Sequence, residues 1–210
     1  MNKLKTLALA ICVSFIASVA VAENRIGLSA SLASFDGSGK ETLRQSGNVT
    51  NVDHSDDVLV PSIFLETIGD EGLGFGIDYV PVAELGDGVG ADDDDAETSG
   101  TNKVSAELTS HITLYVIKEA SNGLYGKFGV AFADIDTTES LSTGDSYGNT
   151  DTEGVMLAIG KNFEPVGGYF VRGEVSYTDY DDVKITSTGG STVEASFEAT
   201  VATLSIGKSF

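Results

Sequence analysis

Charged side chains recur at alternate positions within apolar segments, and this spacing could build a buried ionic network. Arg172 and Glu174 lie two residues apart in one such segment, and Lys127 lies between Gly126 and Phe128. Because an unpaired buried ion is costly, opposite charges must meet if these side chains share an interior. We predict a network in which Arg172 and Lys127 are balanced by Glu107 and Glu174. The full predicted interior set is Glu66, Asp78, Glu107, His111, Lys127, Arg172 and Glu174.

The densest charge run, Asp92, Asp93, Asp94 and Asp95, with Glu97 nearby, is a candidate site for divalent cations. Its spacing does not match a calcium-binding loop, since Ala96 stands where a ligand should be and no glycine supplies the sharp turn. The preferred interpretation is a solvated acidic loop, and no metal site is predicted with it.

Neither catalysis nor a cofactor is predicted. His54 is followed by Ser55, Asp56 and Asp57, but adjacency along the chain is poor evidence for a base oriented by a carboxylate. We expect His111 to be a hydrogen-bonded structural residue. The glycine-rich segment at residues 86–91 opens no helical pattern and borders an acidic run, so it does not predict a dinucleotide site.

The N-terminus has the layout of a cleavable export signal. Lys3 and Lys5 precede an apolar core at residues 7–16, and Ala20-Val21-Ala22 fits a cleavage site. We predict a signal peptide at residues 1–22 and one domain at residues 23–210. The formal net charge of the chain is −20, and loss of the two lysines makes it about −22. So acidic a domain is not expected to bind nucleic acid. The chain's one cysteine, Cys12, lies in the signal, so no disulfide is expected.

Alternation of apolar and polar residues, rather than a helical period, runs through the rest of the chain. Long polar connections alternate with short ones such as residues 69–72, 119–123 and 164–167, which is typical of outer-membrane barrels. The predicted long connections are residues 36–57, 83–102, 137–151 and 181–194. The eight predicted strands are residues 25–35, 58–67, 73–82, 103–118, 124–136, 152–163, 168–180 and 195–210.

Each strand has an apolar face and a small, polar or charged face. In one strand Phe128 and Val130 oppose Lys127 and Gly129, and in the predicted fourth strand Leu108 and Ile112 oppose Glu107 and His111. Alternation fits both an exported sandwich and a membrane barrel, but strands of about ten residues and aromatic residues near strand ends favour the barrel. The predicted fold class is all-β: an eight-stranded antiparallel up-and-down transmembrane barrel.

The chain resembles the small eight-stranded outer-membrane barrels, a group that includes the OmpA transmembrane domain, OmpX, OmpW and opacity-type proteins. The features that carry the resemblance are the run from Gly126 to Phe132, the segment Val175 to Tyr180, and a terminal Phe210 preceded at alternate positions by Ile206 and Leu204. The resemblance implies that Phe210, Ile206 and Leu204 form the signal for the barrel-assembly machinery. Lys208 departs from the usual pattern there.

The resemblance also implies a location in the Gram-negative outer membrane and contact with its lipids. The acidic run could meet lipopolysaccharide phosphates through divalent cations, and a monomer is expected. The predicted function is non-enzymatic: a structural or surface-interaction role that presents long acidic loops. Two alternatives stay open, namely a narrow pore or lateral channel for small hydrophobic molecules, and an adhesin or ligand-recognition protein. A lumen network fits a gated path, but packing of a narrow interior is preferred.

Overall fold

The computed structural model describes residues 22–44, 46–84, 89–92, 101–141 and 144–210. The predicted signal peptide therefore lies outside the described residues, apart from Ala22. No helix among these residues has the length and apolar character needed to cross a membrane. The strands are β1 (Glu23–Thr42), β2 (Val49–Ile68), β3 (Leu73–Val80), β4 (Ala83–Glu84), β5 (Val89–Asp92), β6 (Thr101–Glu119), β7 (Leu124–Ser140), β8 (Thr150–Val166), β9 (Tyr169–Tyr180), β10 (Val183–Thr186) and β11 (Thr192–Ser209).

Eight of these strands form a closed wall. Each of β1, β2, β3, β6, β7, β8, β9 and β11 pairs with the next in antiparallel register, and β11 pairs back onto β1 from Arg25–Ser209 to Thr42–Thr192. Backbone hydrogen bonds between Asn24 and Phe210 close the lower end of this junction. Closure removes the unpaired edges that an open sheet would expose. The predicted fold class is confirmed.

The wall strands are longer than predicted at one end. The connection predicted at residues 36–57 is largely strand, because β1 runs to Thr42 and β2 begins at Val49. The glycine and serine residues of this stretch do not form an apolar face, so the alternation of apolar and polar residues did not predict a strand here. The backbone of β1 nevertheless pairs with β11 on one side and with β2 on the other. The short strands β4, β5 and β10 were also not predicted. They line the same end, called here the long-loop end.

The opposite, short-turn end is fixed by glycines. Gly72 and Gly123 close the turns β2–β3 and β6–β7 with φ angles of 75° and 80°, in the left-handed region that glycine adopts without strain. A Cβ atom on Gly72 would lie 2.1 Å from the carbonyl oxygen of Glu119, and one on Gly123 would lie 2.4 Å from that of Asn162. These turns therefore require glycine both for conformation and for space.

The apolar faces point outward. Leu59 and Leu204 are 73% and 69% exposed, and Phe128, Leu157 and Val171 lie on the same outer surface. Exposed aromatic residues sit near the strand ends, at Tyr79, Phe163, Tyr169, Tyr177 and Phe210. An apolar outer wall around a polar interior is the arrangement of a barrel in lipid and the reverse of a soluble sandwich.

A β-bulge in β6 corrects one predicted interior residue. The register between β6 and β7 shifts between Leu108 and Ser110, so Thr109 has no partner on β7. One additional residue exchanges the two faces of a strand beyond that point. Leu108 therefore faces inward and is buried, while Glu107 is exposed. The placement of Glu107 inside and of Leu108 on the lipid face is wrong for this reason.

Candidate functional site

The centre of the barrel interior is a buried ion pair between Arg172 of β9 and Glu66 of β2. Two guanidinium nitrogens of Arg172 donate to the two carboxylate oxygens of Glu66 at 2.6 Å each, and Nε donates to Oδ1 of Asn162 at 2.7 Å. Both side chains are almost fully shielded from solvent. Paired, bidentate geometry is what makes a buried arginine tolerable.

Lys127 and two tyrosines extend this pair into a network. Nζ of Lys127 lies 2.8 Å from Glu174 and 3.5 Å from Glu66. Tyr115 donates its hydroxyl hydrogen to Glu66 at 2.8 Å, and Tyr125 donates to Glu174 at 2.6 Å. The ammonium group also lies 4.3 Å from the centroid of the Tyr115 ring, a cation–π distance. Each carboxylate thus has both a cation and a hydroxyl donor.

The two tyrosines lie across glycines on neighbouring strands. A Cβ atom on Gly76 would lie 2.4 Å from the Tyr115 ring, and one on Gly160 would lie 2.2 Å from the Tyr125 hydroxyl oxygen. Because glycine has no side chain, these two positions leave the space that the tyrosine rings occupy. The lumen at this level is therefore filled by side chains, as expected for a barrel of eight strands.

A second polar layer closes the short-turn end. Arg25 forms ion pairs with Glu119 and with Glu23, the latter at 2.7 Å, and Nδ2 of Asn162 donates to Glu119 at 2.8 Å. Asn162 thereby links this layer to Arg172 above it. The two layers place bonded side chains across the lumen between the cavity and the short-turn end.

Above the network, toward the long-loop end, the interior holds a cavity of about 110 Å³. One wall carries hydroxyl pairs across the β1–β11 junction, Ser29–Ser205 and Ser31–Thr203, each with oxygens 2.9 Å apart. The other walls mix apolar residues, such as Val60, Val80 and Leu108, with polar ones. Lys127, Arg172 and Glu174 of the network also line the cavity, so its apolar part lies against an ionic part.

Asp78 and His111 line the cavity above the network. Asp78 accepts a hydrogen bond from the Ser62 hydroxyl at 3.1 Å. Nε2 of His111 lies 3.0 Å from the hydroxyl oxygen of Tyr180, and the Tyr180 ring stacks on Phe197 at 4.9 Å. Nδ1 of His111 is buried and is the only such side-chain atom without a hydrogen-bond partner among the described residues.

Tyr180 and Phe197 lie above the cavity, toward the long-loop end, and Tyr180 lines the cavity. Four acidic residues nearby lie on the outer face of the extended wall, because they alternate with inward-facing residues: Asp36, Asp53, Asp179 and Glu198. His54 stands opposite Gly37 in the outer extension of β2 and is exposed. The outer surface of this extension is therefore strongly acidic.

The structure therefore distributes the predicted interior residues over three locations. Glu66, Lys127, Arg172 and Glu174 meet in the network, although Arg172 pairs with Glu66 instead of Glu107 or Glu174. Asp78 and His111 line the cavity, and Glu107 lies outside. Sequence reasoning did not nominate Tyr115, Tyr125, Asn162, Arg25 or Glu119, although the first three fall on the predicted inner faces, and the glycines of neighbouring strands were the available signal.

The remaining candidate residues are less fully described. The acidic run falls outside the described residues, except for the backbone of Asp92 in β5. Among the described residues no group of three potential metal ligands comes together. On the outer extension, Lys184 forms an ion pair with Glu194, and this hydrogen bond lowers the pKa of the Glu194 carboxyl. Ile206 and Leu204 lie exposed on the lipid face of β11, and Phe210 is exposed at its end.

Beside the cavity, the backbone pairing of the wall is interrupted as far as the described residues extend. Pairing of β2 with β3 ends at Ile63–Tyr79, and beyond Pro81 the chain continues as β4 and β5, which pair with β6. Among the described residues, β2 above Ile63 has no backbone partner on this side. We call this junction, bordered by residues 49–62 of β2 and by β4 and β5, the seam. Ser62 and Asp78 join across its lower end.

Pro61 fits the seam geometrically. Asn24 and Phe210 exchange both backbone hydrogen bonds, so the even-numbered residues of β1 bond to β11 and the odd-numbered ones bond to β2. Odd-numbered residues of β1 stand opposite even-numbered residues of β2. The odd-numbered residues of β2 therefore direct their backbone groups toward β3. The bond from Gly69 N to Leu73 O agrees with this parity. The nitrogen of Pro61, which carries no hydrogen, therefore faces the seam. Proline is tolerated at such an edge because no donor is left unpaired there.

Comparison with known proteins supports the architecture. No protein-family model and no curated protein matches the sequence. The outer membrane protein OprG of Pseudomonas aeruginosa matches with a TM-score of 0.66 at 13% identity, over 90% of this chain and 96% of that one. The attachment invasion locus protein Ail of Yersinia pestis, solved with the heparin analogue sucrose octasulfate, matches with a TM-score of 0.51 at 12% identity, over 90% and 99%.

The outer membrane protease OmpT of Escherichia coli also matches, with a TM-score of 0.50 at 9% identity over 92% of this chain and 99% of that one. These likenesses show the fold of the small outer-membrane barrels, as the sequence resemblance implied. With its closed eight-stranded wall and apolar exterior, the chain is an integral barrel of the Gram-negative outer membrane. Because a protease is among the similar structures, the fold alone does not decide between enzyme and non-enzyme.

Proposed function

We propose that this protein is a non-enzymatic barrel that admits small, largely apolar molecules from outside and releases them sideways into the bilayer through the seam. The observation that carries the proposal is the end of β2–β3 pairing at Ile63–Tyr79, beside an amphipathic cavity. Val60, Ser62, Asp78 and Val80 line the cavity next to the seam. Within the described ranges, the part of the wall between a molecule in the cavity and the lipid therefore has fewer backbone pairs than the other junctions.

The interior favours this lateral route over an axial one. Below the cavity, Arg172, Glu66 and the two tyrosines fill the lumen. Opening any fully paired junction would expose backbone groups to hydrocarbon, which is costly for each group. Opening the lower end of the seam breaks the Ser62–Asp78 hydrogen bond, worth about 1.5–3 kcal/mol for a charged acceptor. The seam is thus the least costly place to part the wall.

A disulfide across the seam tests this route. If the β2–β3 register continued, Ser62 and Val80 would stand opposite one another at a position where side chains approach closely. The predicted mature domain has no cysteine, so the double variant Ser62→Cys/Val80→Cys gives a single possible bond. The readout is the initial rate of [¹⁴C]benzene uptake by cells with intact lipopolysaccharide. We expect oxidation to reduce uptake to the level of cells without the protein, and reduction to restore it.

The matched control is Ser31→Cys/Thr203→Cys. These residues also line the cavity and stand opposite one another, but in the fully paired β1–β11 junction. Oxidising this pair should leave benzene uptake unchanged. Uptake at the wild-type rate with the seam locked would exclude the lateral route.

Presentation of an acidic surface is the second candidate function. The loops at the long-loop end are bonded to one another, since the amide of Thr188 donates to the carbonyl of Ser146 at 2.9 Å and Tyr147 donates to Glu41. An ordered, negatively charged surface suits recognition of cationic ligands. Adhesion of cells to immobilised polylysine measures this role. Locking the seam should not change adhesion, so the two functions are separable.

A further inference from the structure

The buried charges around the cavity do not balance. Glu66, Glu174 and Asp78 supply three carboxylates, whereas Lys127 and Arg172 supply two cations. Glu66 is bonded to Arg172 and Tyr115, and Glu174 is bonded to Lys127 and Tyr125. Asp78 is therefore the carboxylate left over among the described residues of this interior. An uncompensated carboxylate in such a place calls for a proton or a cation.

Asp78 and Glu174 both line the cavity and are partly buried, whereas Glu66 is almost fully enclosed. Glu174 is already bonded to Lys127 and Tyr125, so Asp78 is the carboxylate that a molecule in the cavity could take as its partner. Its hydrogen bond from Ser62 occupies one acceptor position at Oδ2, and an ionised carboxylate offers about four. The cavity thus combines apolar residues with one acidic group, Asp78, that has no bonded cation among the described residues, while Lys127 and Arg172, which also line the cavity, are bonded to Glu174 and Glu66.

We propose that the cavity is a binding site for a small organic cation, a primary alkylamine in its ammonium form, whose head group is held by Asp78 and whose apolar body contacts Val60, Val80 and Leu108. The inference rests on the proposed function, because the cavity must be reachable from outside. A cavity of about 110 Å³ is smaller than the roughly 150 Å³ that holds benzene in an engineered protein. The ligand is accordingly limited to about five non-hydrogen atoms.

The chain's two histidines provide the readout. His111 lines the cavity, and His54 is exposed outside it. In protein labelled with ¹⁵N-histidine and folded in micelles, n-butylammonium chloride should shift the His111 ring signals in a saturable manner and leave those of His54 unchanged. 1-Butanol has the same number of non-hydrogen atoms and no charge. We expect it to bind at least about tenfold more weakly, as for the loss of one charge-assisted contact. Sodium chloride at equal ionic strength is the blank.

Two variants complete the test. Asp78→Asn keeps the shape of the side chain and should abolish the preference for butylammonium over butanol. Asp70→Asn removes a carboxylate at the exposed short-turn end and should retain the preference. Equal binding of the two probes to the wild type, no binding of either, or undiminished preference in Asp78→Asn would overturn the inference. The benzene uptake measurement is independent, so a functional lateral route without amine preference would reject this site alone.

Discussion

Arg172 and Glu66 form the contact on which the interior depends most directly. Their side chains lie on β9 and β2, 106 residues apart, and meet in the centre of the lumen. The pair Lys184–Glu194 is also an ion pair between a basic side chain and a carboxylate, but it is exposed to solvent. Burial separates the two cases, because water compensates an exposed charge that has lost its partner and does not compensate a buried one.

Replacing Arg172 by alanine should lower the free energy of unfolding in detergent by about 3–5 kcal/mol, because the charge of Glu66 loses its guanidinium partner. Lys184→Ala, which removes the exposed ion pair, should leave stability unchanged. The measurement is the urea midpoint of the folded band on gels run without boiling. The double variant Arg172→Met/Glu66→Leu removes both charges and should be more stable than Arg172→Ala, because it leaves no buried charge without a partner. Equal stability of these two variants, or an Arg172→Ala variant that unfolds like the wild type, would mean that the buried pair does not have the assigned role.

At the scale of the strand, register decides which side chains meet. The bulge at Thr109 reverses the faces of β6, and it places Leu108 in the cavity wall and Glu107 outside. Nothing in local alternation marks this residue as additional, because Glu107 and Thr109 are as suitable for an inner face as Leu108. The bulge is visible only when the partners on β7 are known.

The seam makes a prediction for hydrogen exchange in β2. Leu59, Asp57 and Ser55 direct their amides to the seam, where the part of the chain that the structure describes gives β2 no backbone partner, whereas Val60 and Val58 bond to β1. Exchange of the first three amides should be faster than that of the last two, by NMR in micelles, because an unbonded amide exchanges without local opening. Below Ile63, odd and even residues should be equally protected.

The corresponding part of β1 is the internal control. Its residues have partners on β2 and on β11 throughout, so neighbouring amides should all be protected. Uniform protection of β2 above Ile63 would mean that the seam is hydrogen-bonded in solution, and the lateral route would lose its basis.

At the scale of the whole molecule, the filled lumen predicts that the folded protein does not conduct ions steadily in a planar bilayer. The two polar layers and the rings of Tyr115 and Tyr125 occupy the interior between the cavity and the short-turn end. Tyr115→Ala/Tyr125→Ala should give measurable conductance, since it empties the space over Gly76 and Gly160. A shift in gel migration on boiling verifies that both proteins are folded. Ohmic steps from the wild type would contradict a closed interior.

The sequence by itself determined the class of fold. Three local properties of the sequence carry this information: alternation with a period of two, short glycine turns that alternate with long connections, and apolar rows that end in aromatic residues. Each can be recognised without knowing which strands are neighbours. They predicted the closed barrel, its outward-facing apolar surface and the inner positions of Lys127, Arg172 and Glu174. The export signal and the assembly signal at Phe210 stay predictions.

Only the tertiary structure decided the site. The pairing of Arg172 with Glu66, the outward turn of Glu107, the end of pairing at Tyr79 and the surplus carboxylate of Asp78 all depend on how eight strands align around a closed wall. Alignment is a sum of many weak contacts between residues far apart in the chain. A two-residue shift would change every partner while leaving each side chain on the same face of the wall.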